Sequence, residues 1–283
     1  MFGKLLKNEF IATSRSVPIA FLISASFSAL FLLTSSFIGT FLAGLSLGLI
    51  FMGVLAQNII VWILLIVRYY RTMYGAEGYL SHTLPLKSCL LFWSKFCSSA
   101  VWIFLSVLFS TVLSAGLVWF FARQNGADAR ELSEWIDRAL YLSGLSPSLW
   151  QMVLLVTGVL FTSSLGSLIL FFFAVTMGST PPFQFMGIGG PVVMYLILYV
   201  AQQILGVVTM LFTPFGIRIE GLNPSASEPA RWSIVFESFV SSVKNAAGKM
   251  PYIPLGSYCI LTVISVGLLF PTLYLVKKKT SLR

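Results

Sequence analysis

Residues 16–67 contain no Asp, Glu, Lys, Arg or His, and neither do residues 148–217. A helix rising 1.5 Å per residue crosses the hydrocarbon core of a bilayer in about 20 apolar residues, and a charge at its centre costs several kcal/mol. Each of these two runs is therefore long enough for two crossings. The first turns near Gly39 to Gly44, and the second breaks at Gly178-Ser-Thr-Pro-Pro-Phe183. The uncharged run 96–122, within a span placed at 91–122, gives a third crossing, and 255–276 a sixth. Composition agrees: 57% of residues are hydrophobic and only 10% charged, against about 25% charged in soluble domains. The expected fold class is an all-α integral membrane protein of about six transmembrane helices.

Charge sets the expected orientation. With the N-terminus inside, the inner segments (1–15, 68–90 and 277–283), together with Lys95 at the inner mouth of the third span, hold Lys4, Lys7, Arg15, Arg68, Arg71, Lys87, Lys95, Lys277, Lys278, Lys279 and Arg283, against Glu9 and Glu77. The outer loops (123–147 and 218–254) hold seven basic and seven acidic residues, so the whole formal charge of +9 falls on one side. Cytoplasmic loops carry the excess of Lys and Arg, which places both termini in the cytoplasm. The basic pI then needs no nucleic-acid partner to explain it. Met1 to Phe10 does not read as a cleavable signal peptide, because Lys4, Lys7 and Glu9 interrupt it.

The extramembrane pieces are patterned. Phe2, Leu5, Leu6 and Phe10 recur at helical spacing with Lys4 and Lys7 between them, which predicts an amphipathic helix lying in the inner interface over 1–15. In the first outer loop, Asp128 and Glu131 form a capping box. Leu132, Trp135, Ile136 and Leu140 follow as a stripe, Glu134 faces Arg138, and Gly144 ends the helix. In the second, Trp232, Phe236, Phe239, Val240 and Val243 predict another surface helix opposite Glu237 and Lys244.

Little in the chain suits catalysis. The single His82 lies in an inner loop, and Cys89, Cys97 and Cys259 have no metal-ligand or disulfide spacing. No GxxxxGK[ST] loop occurs, so no ATPase site is expected in this chain. Every acidic residue falls outside the spans, which argues against a proton-coupled carrier. Mid-span polarity reduces to Gln57, Asn58, Gln202 and Gln203, with Ser163, Ser164 and Ser167. Such groups either hydrogen-bond between helices or line a translocation path, and the sequence leaves both readings open.

The connection 68–90 is long for an inner loop and unusually aromatic: Arg68-Tyr-Tyr-Arg-Thr-Met-Tyr-Gly-Ala-Glu-Gly-Tyr-Leu-Ser-His-Thr-Leu-Pro-Leu-Lys87. An interfacial aromatic belt accounts for Tyr69 and Tyr70. It does not account for Glu77 between two glycines, in a stretch where Tyr69, Tyr70, Met73, Tyr74, Tyr79, Leu80 and Leu84 are expected to face water or the membrane edge. Tyr, Met and Arg are enriched in protein interfaces, and a cytosolic docking surface is expected here.

The stretch Tyr74-Gly-Ala-Glu-Gly-Tyr-Leu80, then Thr83-Leu-Pro-Leu86 and Ser94-Lys95, resembles the membrane subunits of bacterial type-2 (ABC-2) ABC exporters. The likeness covers roughly residues 66–98 and elsewhere is topological. It implies a permease in the bacterial plasma membrane that pairs with a second permease, identical or related, and binds a separate ABC ATPase carrying ATP and magnesium. It further implies that Tyr74, Glu77, Gly78, Tyr79 and Leu80 form the coupling segment, flanked by Arg71, His82 and Thr83. ATP-driven closure of the ATPase pair would then move the spans as rigid bodies. The connection Thr180-Pro-Pro-Phe-Gln-Phe185 departs from that pattern, since it lacks the basic residues of a second inner contact. A stand-alone channel or secondary carrier, and a membrane assembly subunit that moves nothing, are the other classes compatible with the sequence.

Overall fold

The computed structural model describes residues 2–35, 40–75, 77–78, 87–124, 149–181, 183–220, 231–236, 252–253 and 255–278. Helix α1 (Phe2–Thr13) leads through a three-residue turn into α2 (Val17–Ser35). Then come α3 (Thr40–Met73), α4 (Ser88–Gln124) and α5 (Leu149–Gly178). A 3-10 turn at Gln184–Met186 precedes α6 (Gly189–Phe212). Strands β1 (Gly216–Glu220), β2 (Arg231–Val235) and β3 (Tyr252–Ile253) are followed by α7 (Leu255–Gly267) and α8 (Leu269–Lys278).

Among the described residues, six helical segments are long and apolar enough to span a bilayer, the first and last being α2 with its α1 leader and α7 with α8. The surface of the bundle is apolar, and polar side chains lie among the apolar ones in its interior. Ile23, Met52, Ile59, Val112, Leu196 and Val263 are each more than half exposed, while Ser24, Ser28, Gln57, Ser98, Ser106, Thr176 and Thr272 are buried. Apolar side chains gain nothing from leaving hydrocarbon, so packing and interhelical hydrogen bonds fill the interior instead. The chain is a multi-pass membrane protein.

Two local features follow directly from residue type. Pro271 has no N–H and its ring crowds the carbonyl four residues earlier, at Gly267. The last crossing accordingly splits into α7 and α8, with the Leu268 N–H shared between Ile264 O (3.1 Å) and Ser265 O (3.2 Å). At the hairpin between α5 and α6, a Cβ on Gly178 would lie 2.5 Å from Pro191 N, and one on Gly190 would lie 2.5 Å from Gly178 O. The two backbones touch there, which only glycine allows. This is the break expected from Gly178-Ser-Thr-Pro-Pro-Phe183.

The structure departs from the sequence expectations in three places. Helix α3 already begins at Thr40, so Gly44, expected within the first turn, lies inside it. Arg68 to Met73 is helix, not loop, because nothing before Gly75 breaks the pattern. The start of the expected second outer helix is instead a small antiparallel sheet of order β2-β1-β3. Gly216-Ile-Arg-Ile-Glu220 and Arg231-Trp-Ser-Ile-Val235 alternate apolar and polar residues with the strand period of two, and the register sets Ile219 opposite Trp232 and Glu220 opposite Arg231. Trp232 therefore belongs to a strand. Phe239, Val240, Val243 and Lys244, the first outer helix from Asp128 to Gly144, and the basic tail beyond Lys278 lie outside the described residues.

Candidate functional site

Helix α3 is 34 residues long, or about 51 Å at 1.5 Å per residue, well beyond what hydrocarbon alone requires. Its last two turns carry Arg68, Tyr69, Arg71 and Met73, and it ends at Met73 in a turn through Tyr74 and Gly75. There the amides of Tyr74 and Gly75 both close on Tyr70 O, at 2.8 and 3.0 Å. A Cβ on Gly75 would meet Arg71 O at 2.9 Å, so a larger residue would push the turn away from the helix end. Gly78 N–H then donates to Gly75 O at 2.8 Å, and Arg71 Nη2 reaches Glu77 Oε1 at 3.3 Å across the bend. A cation in the last turn also complements the helix dipole.

The aromatic residues of this segment point inward, which corrects the expectation that they face water. Tyr69, Met73 and Tyr74 are buried, and Tyr70 is half-buried. Leu65, Tyr69 and Met73 share one helical stripe, so continuing the helix past Arg68 carries the aromatic face along with the core. The Tyr69 ring stacks on Phe172 of α5 at 3.9 Å, and its hydroxyl lies 2.9 Å from Thr176 Oγ1. Tyr74 meets Tyr69 edge-on at 6.1 Å, and Phe92 of α4 meets both Tyr69 and Phe172 edge-on. Burial pushes the Tyr74 phenol up to about 12; its hydroxyl lies near Thr176 and Tyr69 but completes no well-aligned hydrogen bond among the described residues. Among the described residues of 68–78, only Arg71 and Glu77 are exposed. Tyr79, Leu80, His82 and Thr83 lie outside the described residues.

Beside this turn sits a charge cluster that the sequence alone does not reveal. Glu9 of α1 accepts from Lys95 Nζ of α4 at 2.5 Å through Oε1. Its Oε2 accepts from Arg68 of α3, Nε at 3.2 Å and Nη2 at 3.1 Å. The Lys95 side chain is only 6% exposed, so Glu9 is what makes its burial tolerable. Thr13 seals the same face: its hydroxyl donates to Glu9 O at 2.8 Å and accepts from Trp102 Nε1 at 2.7 Å. Phe10 and Phe21 lie against the Trp102 ring. The N-terminal helix is thus bolted to α3 and α4 by its polar residues as well as its apolar ones. A cavity of about 10 Å³ between Glu9, Arg68, Lys95 and Ser98 borders the cluster. The signal available in the sequence was Lys95 itself, an ionisable residue at the mouth of an apolar span, which calls for a partner.

The mid-span amides divide. Gln57 is buried and bridges three helices, accepting from Ser24 Oγ of α2 and donating to Ser106 Oγ of α4, both at 3.2 Å. Ser106 Oγ donates on to Asn58 Oδ1 at 2.7 Å, and Asn58 Nδ2 donates to Ser110 Oγ at 2.7 Å. This ladder holds α2, α3 and α4 together. Gln202 is half-buried and Gln203 exposed on α6, a helix packed against α5 and α7. The structure therefore does not gather the four amides into one path. Ser163, Ser164 and Ser167 line a mainly apolar recess of about 430 Å³ with Trp62 and Phe171, yet the hydroxyls of Ser164 and Ser167 turn back to carbonyls of their own helix.

No protein-family model, curated protein or solved structure shows a significant match to the chain.

Proposed function

We propose that this chain is the membrane-spanning permease subunit of an ATP-driven ABC exporter, oriented with both termini in the cytoplasm of a bacterial cell. The observation that carries the reading is the turn Arg71–Gly78, set at the end of a helix that outruns the bilayer and rooted in an aromatic cluster shared by α3, α4 and α5. A lever needs both properties. It must present a surface to the partner that pushes it, and it must be too stiff to dissipate the push. Stacked and edge-on rings at close packing supply the second, since packed cores shift between discrete arrangements and do not deform continuously. The outward Arg71 and Glu77 supply the first.

The permease reading also gives a use to the N-terminal helix. Through Glu9, α1 is tied to the ends of α3 and α4 that flank the turn, so a movement of the turn carries α1 with it. The coupling segment runs from Tyr74 to Leu80, with Arg71, His82 and Thr83 as its flanks. ATP and magnesium belong to a separate ATPase chain, and a second permease completes the assembly.

The test is retention of the ATPase. Tagged chain extracted in mild detergent from its native membrane is expected to bring with it a magnesium-dependent ATPase activity. Glu77→Arg combined with Tyr79→Ala is expected to remove that activity while leaving the yield of folded permease unchanged. Undiminished ATPase activity with the double variant would overturn the docking assignment.

A further inference from the structure

A cavity of about 170 Å³ opens between the α1–α2 elbow and the last turns of α3. Its lining is mixed: Val17 and Leu64 are apolar, Ser16 beside Val17 is polar, and Arg68, Arg71 and Glu77 are charged. Leu64, Arg68 and Arg71 follow one another along one face of α3, so apolar gives way to cationic over seven residues, about 10 Å. That is close to the headgroup layer of a bilayer leaflet, about 5–7 Å deep on each side of the hydrocarbon. The cavity borders Ser16 and Val17, where the chain turns into α2.

We propose that this cavity binds the phosphate of an anionic phospholipid from the leaflet on the side of the termini, with its glycerol and first acyl carbons over Val17 and Leu64. Two guanidiniums are available to the phosphate in different ways. Arg68 is committed to Glu9 through Nε and Nη2, which holds the group fixed while its Nη1 has no partner among the described residues. Arg71 is two-thirds exposed and meets Glu77 in an exposed pair. Exposed pairs contribute about 0–1 kcal/mol, so a phosphate, which takes two parallel N–H donors from one guanidinium, displaces Glu77 at little cost. Glu77 is the competitor for the site, not a ligand. Basic pockets between transmembrane helices on the cytoplasmic side are where anionic headgroups are recognised.

The inference depends on the membrane reading and not on the ATPase, so it is tested on the purified full chain alone. Wild type, Arg71→Gln and Glu77→Gln are purified in a neutral detergent. Each is titrated with phosphatidylglycerol, with phosphatidylcholine, and with inorganic phosphate, reading thermal stability and lipid retained by native mass spectrometry. Phosphatidylglycerol is expected to stabilise the wild type, and Arg71→Gln to weaken its apparent affinity about tenfold, the loss of one charge-assisted contact. Glu77→Gln is expected to strengthen binding severalfold. Opposite signs from the two neutralising changes set a specific phosphate contact apart from general loosening of the turn. Equal response to phosphatidylcholine, reproduction of the stabilisation by inorganic phosphate, or equal phosphatidylglycerol affinity in all three proteins would each overturn the proposal.

Discussion

Glu9, in the first helix, and Lys95, near the start of the third crossing, meet at 2.5 Å although 86 residues separate them. The pair ties the N-terminal helix to the bundle, and Arg68 completes it from α3. Removing one partner of a buried pair leaves the other charge uncompensated, which costs about 3–5 kcal/mol. Glu9→Ala is therefore expected to lower thermal stability in detergent by several degrees. Glu9→Leu combined with Lys95→Leu is expected to recover most of that loss, because the buried ammonium is gone and Arg68, 30% exposed, can extend to water. Fluorescence-detected size-exclusion after heating reads both. Equal stability of Glu9→Ala and wild type would show that the cluster is not structural.

The two buried tyrosines should respond oppositely to loss of their hydroxyls. The Tyr69 hydroxyl is bonded to Thr176, so Tyr69→Phe is expected to cost about 1 kcal/mol. The Tyr74 hydroxyl lies near Thr176 and Tyr69 without completing a well-aligned hydrogen bond among the described residues, so Tyr74→Phe is expected to be neutral or stabilising. Since burial raises the Tyr74 phenol from its ordinary 10 to about 12, the folded state holds its proton where the unfolded chain has lost it. That contribution to stability is intact below pH 10 and declines as pH rises from 10 through 12. In Tyr74→Phe this part of the alkaline loss is expected to disappear, which thermal melts between pH 9 and 12 measure.

Much of this was legible in the sequence, for reasons that can be located. The crossings and the Gly178–Phe183 break are set by runs of one residue class, and hydrophobic runs and proline act locally. The Glu9–Lys95 contact was not legible, because it joins distant segments and each residue reads separately as a solvated inner charge. Tyr69 and Tyr74 misled in a similar way: a tyrosine near a membrane edge suits a belt, a docking face and a core equally. Only the continuation of α3 to Met73 decides for the core. Trp232 fits a helical stripe with Phe236, Phe239, Val240 and Val243, yet Ile217, Ile219, Trp232 and Ile234 follow the period of two once both strands are considered together.

Gln57 separates a packing role from a path role. Interhelical hydrogen bonds in membranes contribute about 0.6 kcal/mol on average and at most about 1.7. Gln57 joins Ser24 to Ser106, so Gln57→Leu is expected to cost roughly 1–2 kcal/mol by that scale and to leave transport per folded molecule unchanged. Stability is read by heating in detergent, and transport in vesicles normalised to folded protein.

The α5–α6 hairpin is expected to be the least tolerant position in the membrane region. Gly190→Ala sets a methyl 2.5 Å from Gly178 O and 2.9 Å from Phe183 O, both backbone atoms that no rotamer change can move. Overpacking of this kind costs about 1–3 kcal/mol. Gly158→Ala, where a Cβ meets nothing within 4 Å, serves as the control and is expected to be silent. The ratio of folded yields in matched membrane preparations checks the pair.

A permease of the kind proposed above moves a solute only when a partner hydrolyses ATP. Reconstitution into liposomes compares the chain alone with the complex extracted with its ATPase. Redistribution of a panel of hydrophobic fluorescent solutes is then followed with and without magnesium-ATP. The account predicts movement by the complex with magnesium-ATP, none without it, and none by the chain alone. Solute movement by the chain alone, independent of ATP, would contradict it and identify a channel or secondary carrier instead.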